Sequence, residues 1–355
     1  MMHTFLPTWQ HVKPLGRTMQ TADSLVLAFS ATGAEFAFTG CCCEVTLAGD
    51  NHAGDADRAD GYARVAIDLD GQRVVDTMLD TAEKTCTVLK ADTAAPHVVR
   101  IVKLSETAMS ICAITAIAVD ADEIRPTPRK EHLVEFVGDS ITCGYGVDDE
   151  VAEHHFTTRT EDATRAYAYK TATLLDVDYS LVSISGYGII SGYTDTAEVP
   201  VTSQLLPDYY EKLGYSEGAY GGVTPADVAW DFTTRQPDVI VINLGTNDDS
   251  YCLDHADRQA QYCAAYTRFL YTVHAHNPGA MLLCTLGMMG DRLYPYVEKA
   301  VAAYRAETGD QQIACMPFMP QLVEDGYAAD SHPTEATHRK AAQKLSAEIR
   351  RLMRW

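Results

Sequence analysis

A serine and a histidine that lie far apart in the chain stand in settings that suit nucleophilic catalysis. Ser140 lies in VEFVGDSITCGYG, directly after an apolar run and beside Gly138. A serine hydroxyl is a weak nucleophile at neutral pH and needs a general base within hydrogen-bond reach. His332 lies in DGYAADSHPTEATHRKAA, and Asp330 stands two residues before it. We predict that Ser140 is the nucleophile, that His332 is the base, and that Asp330 orients the imidazole.

Acyl transfer also needs hydrogen-bond donors that face the developing oxyanion. The backbone N–H groups of Ser140 and Gly186 and the side-chain amide of Asn247 are the natural set. Gly186 lies in SISGYG and Asn247 in NLGTND, and each of these segments follows an apolar run. Gly188 is an alternative donor to Gly186. The three segments therefore predict an oxyanion hole beside Ser140.

The chain after residue 126 alternates between short apolar runs and amphipathic segments, which indicates an α/β domain with a parallel sheet. The polar segments that follow the strands would then meet at the carboxyl edge of the sheet, where functional residues collect. The predicted strands are Leu133–Val137, Val182–Ile184, Asp238–Leu244, Ala280–Leu286 and Ile313–Met316, and the predicted helices are Thr164–Leu175, Asp257–His276, Tyr296–Glu307 and Thr334–Met353.

The first third of the chain has a different pattern. Short β-rich runs recur about every ten residues, separated by Gly, Asp and Pro, which favours an antiparallel sandwich. The segment Asp120–Lys130 is polar, contains two prolines and is typical of a linker. We predict a β-sandwich domain over residues 1–125 and a catalytic domain over residues 126–355.

Composition limits the partners of the protein. The formal net charge of −21 and the pI of about 4.8 argue against nucleic acid and anionic membranes as partners. The longest apolar run, about Ala108–Val119, is too short to span a bilayer. The N-terminus shows no apolar h-region, so we expect a cytoplasmic protein, or a secreted one if a signal peptide has been removed. The sequence does not indicate the oligomeric state.

The ten cysteines include one cluster, Cys41-Cys42-Cys43. Neighbouring residues of a strand point to opposite faces, so we expect that this triplet cannot converge on one ion. We predict no metal site. The scattered spacing is typical of reduced thiols.

Four blocks together resemble the SGNH hydrolases, also called the GDSL esterase family: GDSITCGYG, SISGYG, NLGTND and the late D-x-H-P. The blocks cover the chain from Val134 to its end. A strand-rich first domain with LGR (Leu15–Arg17) before EFVGDSITCGYG further resembles carbohydrate esterase family 2, over nearly the whole chain.

This resemblance implies an N-terminal jelly-roll sandwich followed by an SGNH domain with three α/β/α layers and a parallel sheet. It implies a serine esterase that needs no cofactor and removes acetyl groups from oligo- or polysaccharides such as xylan and glucomannan. By the same resemblance, Ser140 is the nucleophile, His332 the base, and Gly186 and Asn247 are oxyanion donors.

The sequence departs from the family pattern at one position. The general pattern has an aspartate three residues before the histidine, where this chain has Ala329, and the nearest aspartate is Asp330. In family 2 the third member varies, and a backbone carbonyl can take its role. We predict that the carboxylate of Asp330 orients His332, and a backbone carbonyl is the alternative.

Aromatic residues near the motifs could stack on sugar rings, and we predict this role for Tyr145, Tyr187, Tyr193 and Trp230. Two other functions stay open from the sequence. One is a lipase or thioesterase for longer acyl chains, and the other is a carbohydrate-binding protein with a decayed active site.

Overall fold

The computed structural model describes residues 1–355, which form two compact units. The N-terminal unit comprises Met1–Lys130, Thr157–Ala163 and Lys212–Ala229. The C-terminal unit comprises Glu131–Phe156, Thr164–Glu211 and Trp230–Trp355. The sequence did not indicate that two later segments belong with the first unit.

The N-terminal unit contains ten strands in one hydrogen-bonded network, and every pairing in it is antiparallel. The strands are β1 (His3–Phe5), β2 (Lys13–Leu15), β3 (Thr18–Gln20), β4 (Leu25–Leu27), β5 (Gly33–Gly49), β6 (Arg64–Leu69), β7 (Gln72–Met78), β8 (Glu83–Lys103), β9 (Cys112–Val119) and β10 (Arg125–Pro126). The main path runs in the order β3-β4-β9-β5-β8-β6-β7. The predicted antiparallel β domain is confirmed.

One apolar core lies inside this unit, built from alternate residues of the long strands and including Phe36, Val45, Val99 and Ile117. Strand β5 is irregular where it pairs with β8, with register shifts between Gly40 and Cys42 and between Cys43 and Glu44. Bulges of this kind turn side chains away from strict alternation.

These bulges change the arrangement of the cysteine triplet. Cys43 is buried in the core, whereas Cys41 and Cys42 are half-buried. The sulfurs of Cys41 and Cys42 lie 4.0 Å apart. The expectation that neighbouring cysteines point to opposite faces is therefore wrong for this pair, because the bulge disrupts the two-residue period.

The C-terminal unit contains a parallel sheet of five strands in the order β12-β11-β13-β14-β15. The strands are β11 (Leu133–Gly138), β12 (Asp178–Ser183), β13 (Val239–Asn243), β14 (Met281–Leu286) and β15 (Ile313–Pro317). The helices are α1 (Ser140–Cys143), α2 (Tyr167–Leu175), α3 (Thr246–Cys252), α4 (Ala256–His276), α5 (Tyr294–Thr308) and α6 (Glu335–Met353). None of the helices is both long enough and apolar enough to cross a membrane.

The predicted strands and helices of this unit are present with small changes of boundary. The central strands β11 and β13 are buried along their whole length, as continuous apolar runs require in a sheet covered on both faces. The largest difference is in β12, which begins at Asp178 and ends at Ser183 rather than covering Val182–Ile184. The predicted α/β class with a parallel sheet is confirmed.

Candidate active site

Three segments converge at the carboxyl edge of the parallel sheet. Strand β11 lies between β12 and β13, and Gly138 at its end pairs with Ser183 on one side and Asn243 on the other. The chain then continues into Ser140, Gly186 and Asn247 respectively. The sheet topology thus places the predicted nucleophile between the segments that carry the two other predicted oxyanion donors.

Ser140 is held by a tight turn into helix α1. The carboxylate of Asp139 accepts a hydrogen bond from the backbone N–H of Ile141 at 3.0 Å and so caps the helix. A Cβ atom at Gly138 would lie 2.0 Å from Thr142 Oγ1, so this close approach of helix and strand requires glycine. Ser140 is the first residue of the helix, and its N–H has no acceptor within the helix.

The structure places the hydroxyl of Ser140 against the imidazole of His332. Ser140 Oγ and His332 Nε2 are 2.9 Å apart. On the other side of the ring, Nδ1 lies 3.2 Å from the backbone carbonyl oxygen of Asp330. A carbonyl only accepts, so Nδ1 carries the proton and Nε2 is the free acceptor. This tautomer is the one that can take a proton from Ser140.

The carboxylate of Asp330 has a different set of partners, and this corrects the prediction that it orients His332. One oxygen accepts from Tyr145 Oη at 2.9 Å and from the backbone N–H of Phe156 at 3.0 Å. The other oxygen lies 3.1 Å from Nδ1 of His155. The backbone at Asp330 is left-handed, with φ of 49°, which turns the carboxylate toward these groups and leaves its carbonyl beside the imidazole.

The segment before His332 is held in this unusual conformation by a neighbouring loop. Asp330 and Ser331 both have positive φ, at 49° and 59°, a conformation that non-glycine residues rarely adopt. The backbone N–H groups of Ala329, Asp330 and Ser331 donate to three carbonyls of the loop at residues 149–154. Strained backbone of this kind persists only where its surroundings determine it strongly.

Tyr145 supports the imidazole from its face. The ring of Tyr145 stacks on His332 with centroids 4.0 Å apart and on Phe156 with centroids 3.9 Å apart. Two rings stacked this closely must lie on opposite faces of the tyrosine. Tyr145 therefore offers no free face to a sugar, and the prediction that it binds substrate by stacking is wrong. Its stacking and its hydrogen bond to Asp330 make it a positioning residue for His332.

The two other predicted oxyanion donors lie in different elements: Gly186 lies in the loop after β12, and Asn247 lies in the first turn of α3. Gly186 has φ of 81°, a left-handed conformation that favours glycine. Asn247 Nδ2 donates to the carbonyl of Tyr187 at 2.9 Å, which leaves its second N–H available for an oxyanion. The buried carboxylate of Asp248 accepts from the backbone N–H groups of three residues of the loop after Gly186, namely Ile189, Ile190 and Ser191.

Burial shifts the pKa values of the ionisable groups in this site. Burial raises the pKa of Asp139 to about 7, with the nearby charge of Asp248 adding to the effect, and raises the pKa of Asp248 to about 6. Loss of solvation also lowers the pKa of His332 to about 4, although the carbonyls of Asp330 and Ala329 oppose the shift. The imidazole is therefore neutral near pH 7, as a general base must be.

The remaining residues that the sequence suggested as sugar-stacking groups differ in accessibility. Tyr187 is buried, and its ring packs edge-on against Tyr209 with centroids 5.7 Å apart, so the prediction of a stacking role for it is wrong. Tyr193 is 57% exposed and Trp230 is half-buried, and their sugar-stacking roles stay predictions.

Sequence reasoning did not identify the supports of His332. Phe156 and the loop at residues 149–154 carry no recognisable motif, and they lie far from His332 in the chain. Tyr145 follows the GDS block in the sequence, but only the folded chain shows which rings it contacts. The sequence also gave no sign that the carboxylate of Asp248 holds the loop after Gly186.

Comparison with known families decides where the chain belongs. Residues 136–340, more than half of the chain, match the model of the GDSL-like Lipase/Acylhydrolase family. The chain belongs to this family. Residues 15–128 match the model described as Carbohydrate esterase 2 N-terminal. The resemblance to carbohydrate esterase family 2 that the sequence motifs indicated is confirmed by this second match.

Several relatives of this GDSL-family chain resemble it over nearly its whole length. It is 28% identical to an acetylxylan esterase / glucomannan deacetylase of Cellvibrio japonicus over 361 residues, which cover 99% of this chain and 92% of the relative. The structure of a family two carbohydrate esterase from Clostridium thermocellum, in complex with cellohexaose, superposes with a TM-score of 0.81 at 26% identity, over 97% of this chain and 99% of that chain.

A third comparison concerns the fold alone. An acetyl xylan esterase from the rumen bacterium Butyrivibrio proteoclasticus superposes with a TM-score of 0.89 at 24% identity, over 100% of this chain and 99% of that chain. The β-sandwich followed by an SGNH domain is therefore the arrangement of this GDSL-family chain as well.

The pH dependence of hydrolysis follows from the lowered pKa of His332. The base works only when neutral, and a pKa of about 4 keeps it neutral as the pH falls well below 6.5. We expect kcat/KM for p-nitrophenyl acetate to stay nearly constant from pH 7 down to about 5 and then to fall. An acid limb at pH 6.5 or above would contradict this, provided that it persists in Asp139→Asn, since Asp139 itself has a pKa of about 7.

The role of the Asp330 carbonyl can be separated from that of its carboxylate. Asparagine tolerates left-handed backbone and keeps the carbonyl and the side-chain acceptor, so Asp330→Asn leaves the contact with Nδ1 in place. We expect it to lose less than about 10²-fold in kcat, whereas removal of a triad carboxylate typically costs about 10⁴-fold. A loss of the larger size, measured with p-nitrophenyl acetate, would show that the carboxylate acts on the imidazole.

The stacking of Tyr145 on His332 predicts a loss in kcat rather than in binding. Tyr145→Phe keeps the stacked ring and removes the hydrogen bond to Asp330, so we expect a small effect. Tyr145→Leu removes the ring, and we expect kcat to fall by about 10-fold to 10²-fold with little change in KM, because small displacements of a catalytic group are costly. Equal losses in the two variants, or a change confined to KM, would contradict the positioning role.

Proposed function

We propose that this protein hydrolyses O-acetyl esters on carbohydrates through an acyl-enzyme intermediate. The single observation that carries this proposal is the 2.9 Å contact between Ser140 Oγ and His332 Nε2, with the tautomer fixed by the carbonyl of Asp330. Nucleophile, base and orienting acceptor are aligned in one line of hydrogen bonds. This arrangement also argues against a decayed active site.

In the first step, Ser140 attacks the acetyl carbonyl while His332 takes the hydroxyl proton at Nε2. The new charge on the carbonyl oxygen is held by the N–H groups of Ser140 and Gly186 and by the Asn247 amide. The imidazolium then gives its proton to the sugar oxygen as the ester bond breaks. The deacetylated sugar leaves, and an acetyl group stays on Ser140.

In the second step, a water molecule gives a proton to His332 and attacks the acetyl group on Ser140. The same three donors hold the second oxyanion. The imidazolium returns the proton to Ser140 Oγ, and acetate is released. Throughout, the proton on Nδ1 stays hydrogen-bonded to the carbonyl of Asp330, which stabilises the imidazolium.

The names of the relatives support the substrate class. One relative is named an acetylxylan esterase / glucomannan deacetylase, and one similar structure contains cellohexaose. The net charge of −21 suits a neutral glycan better than nucleic acid or an anionic membrane. We therefore propose an acetylated β-linked oligo- or polysaccharide as the partner in solution. The cytoplasmic location stays a prediction.

The proposal is tested by acetate release from acetylated xylo-, manno- and cello-oligosaccharides. We expect release from at least one of them and a loss of at least about 10³-fold in kcat for Ser140→Ala. The matched control is Ser203→Ala, which changes an exposed serine.

A series of p-nitrophenyl esters should show turnover falling as the acyl chain lengthens. Preference for long chains would favour a lipase or thioesterase, and glycan binding without acetate release would favour a binding protein.

A further inference from the structure

A second group of reactive side chains lies in the N-terminal unit, where the function proposed above does not use it. The thiols of Cys41 and Cys42 and the carboxylate of Asp120 have their ligand atoms within 4.8 Å of one another. The two sulfurs are 4.0 Å apart, and Cys41 Sγ donates to Asp120 Oδ2 at 2.9 Å. All three residues are half-buried, so solvent reaches the group.

The backbone fixes the carboxylate of Asp120 in place. The N–H groups of Cys41 and Cys42 both donate to Asp120 Oδ1 at 2.9 Å. A Cβ atom at Gly40 would lie 2.3 Å from the same oxygen, so glycine is needed for this approach. The carboxylate is therefore held before any ligand arrives, and its outer oxygen points to the thiol.

The geometry of the group leaves a place for a cation. The thiol of Cys41 donates its proton to Asp120 Oδ2, so this proton lies between the sulfur and the carboxylate. A metal ion bound to both groups would take the same place, because metal binding displaces the protons of its ligands.

The distances fit a tetrahedral ion better than a disulfide. Two sulfurs bound to zinc at about 2.3 Å each are separated by about 3.8 Å in a tetrahedral site. The observed 4.0 Å is close to this value. Neighbouring Cα atoms are about 3.8 Å apart across a trans peptide, which is shorter than the roughly 4.4–6.8 Å found across disulfides. Oxidation of this pair is therefore disfavoured.

We propose that Cys41, Cys42 and Asp120 bind a thiophilic divalent cation of the zinc or cadmium type. The ion forms a bond to each sulfur, and both thiol protons pass to solvent. One oxygen of Asp120 is the third ligand, and water fills the fourth position. The bulge between Gly40 and Cys42 builds this site because it brings the two sulfurs to one side of β5.

The test uses the full-length protein, freed of metal by a chelator and titrated with Cd²⁺ under reducing conditions. We expect one equivalent to bind with thiolate-to-cadmium charge-transfer absorbance and with release of two protons. Zn²⁺ should compete for the same equivalent. Cys41→Ser/Cys42→Ser should abolish this equivalent, and Asp120→Asn should weaken it by at least about tenfold, since even outer partners of a metal ligand are worth that much.

The control is Cys263→Ser/Cys315→Ser, which removes two half-buried cysteines of the C-terminal unit and should leave the equivalent unchanged. Turnover of p-nitrophenyl acetate should stay at the wild-type level in each variant, because none of these residues belongs to the esterase site, and an unchanged far-UV circular dichroism spectrum shows that the N-terminal strands are formed. Cys42→Ser alone keeps the contacts between Cys41 and Asp120 and should still lose the two-thiolate signal. Cadmium binding that survives in Cys41→Ser/Cys42→Ser, or that is lost in the control, would overturn the proposal.

Discussion

The hydrogen bond from His332 Nδ1 to the backbone carbonyl of Asp330 is the contact on which the chemistry of this site depends. It decides the tautomer, and the tautomer decides whether Nε2 can take a proton from Ser140. A backbone carbonyl carries only a partial charge, so it stabilises an imidazolium less than a carboxylate does. The carbonyl must therefore be held close to Nδ1, and the conformation of the backbone at this point sets its position. The left-handed conformations at Asp330 and Ser331 provide that position.

The cost of this conformation is offset by contacts from the loop that precedes Phe156. Three backbone N–H groups donate into the loop, and the Asp330 carboxylate binds Tyr145, His155 and the N–H of Phe156. Tyr145 then closes the group by stacking between the imidazole and Phe156. The carboxylate of Asp330 thus acts on His332 indirectly, because it stabilises the segments that hold the imidazole in place.

Two buried carboxylates organise the opposite side of the site. Asp139 caps the helix that begins with Ser140, and Asp248 gathers three N–H groups of the loop after Gly186. Burial raises the pKa of both groups, and the hydrogen bonds from the backbone oppose that shift. Each carboxylate fixes one of the segments that carry the proposed oxyanion donors. In the N-terminal unit, the ionised carboxylate of Asp120 lies beside two thiols at the bulge of β5, and it accepts a hydrogen bond from one of them.

The sequence by itself determined the α/β class and the parallel strands, and it indicated Ser140 and His332 as the proposed nucleophile and base, because all of these depend on local patterns. Apolar runs followed by polar blocks indicate where the strands of a sheet end. They therefore indicate that Ser140, Gly186 and Asn247 lie at the carboxyl edge of the sheet. Only the tertiary structure decided the direction of the Asp330 carboxylate, the ring beneath His332 and the pairing of the Cys41 and Cys42 sulfurs. Each of these depends on a backbone irregularity, either a left-handed residue or a bulge, that distant segments stabilise. Predictions from residue spacing hold only where the backbone is a regular helix or strand. They carry no information on contacts between segments that are distant in the chain.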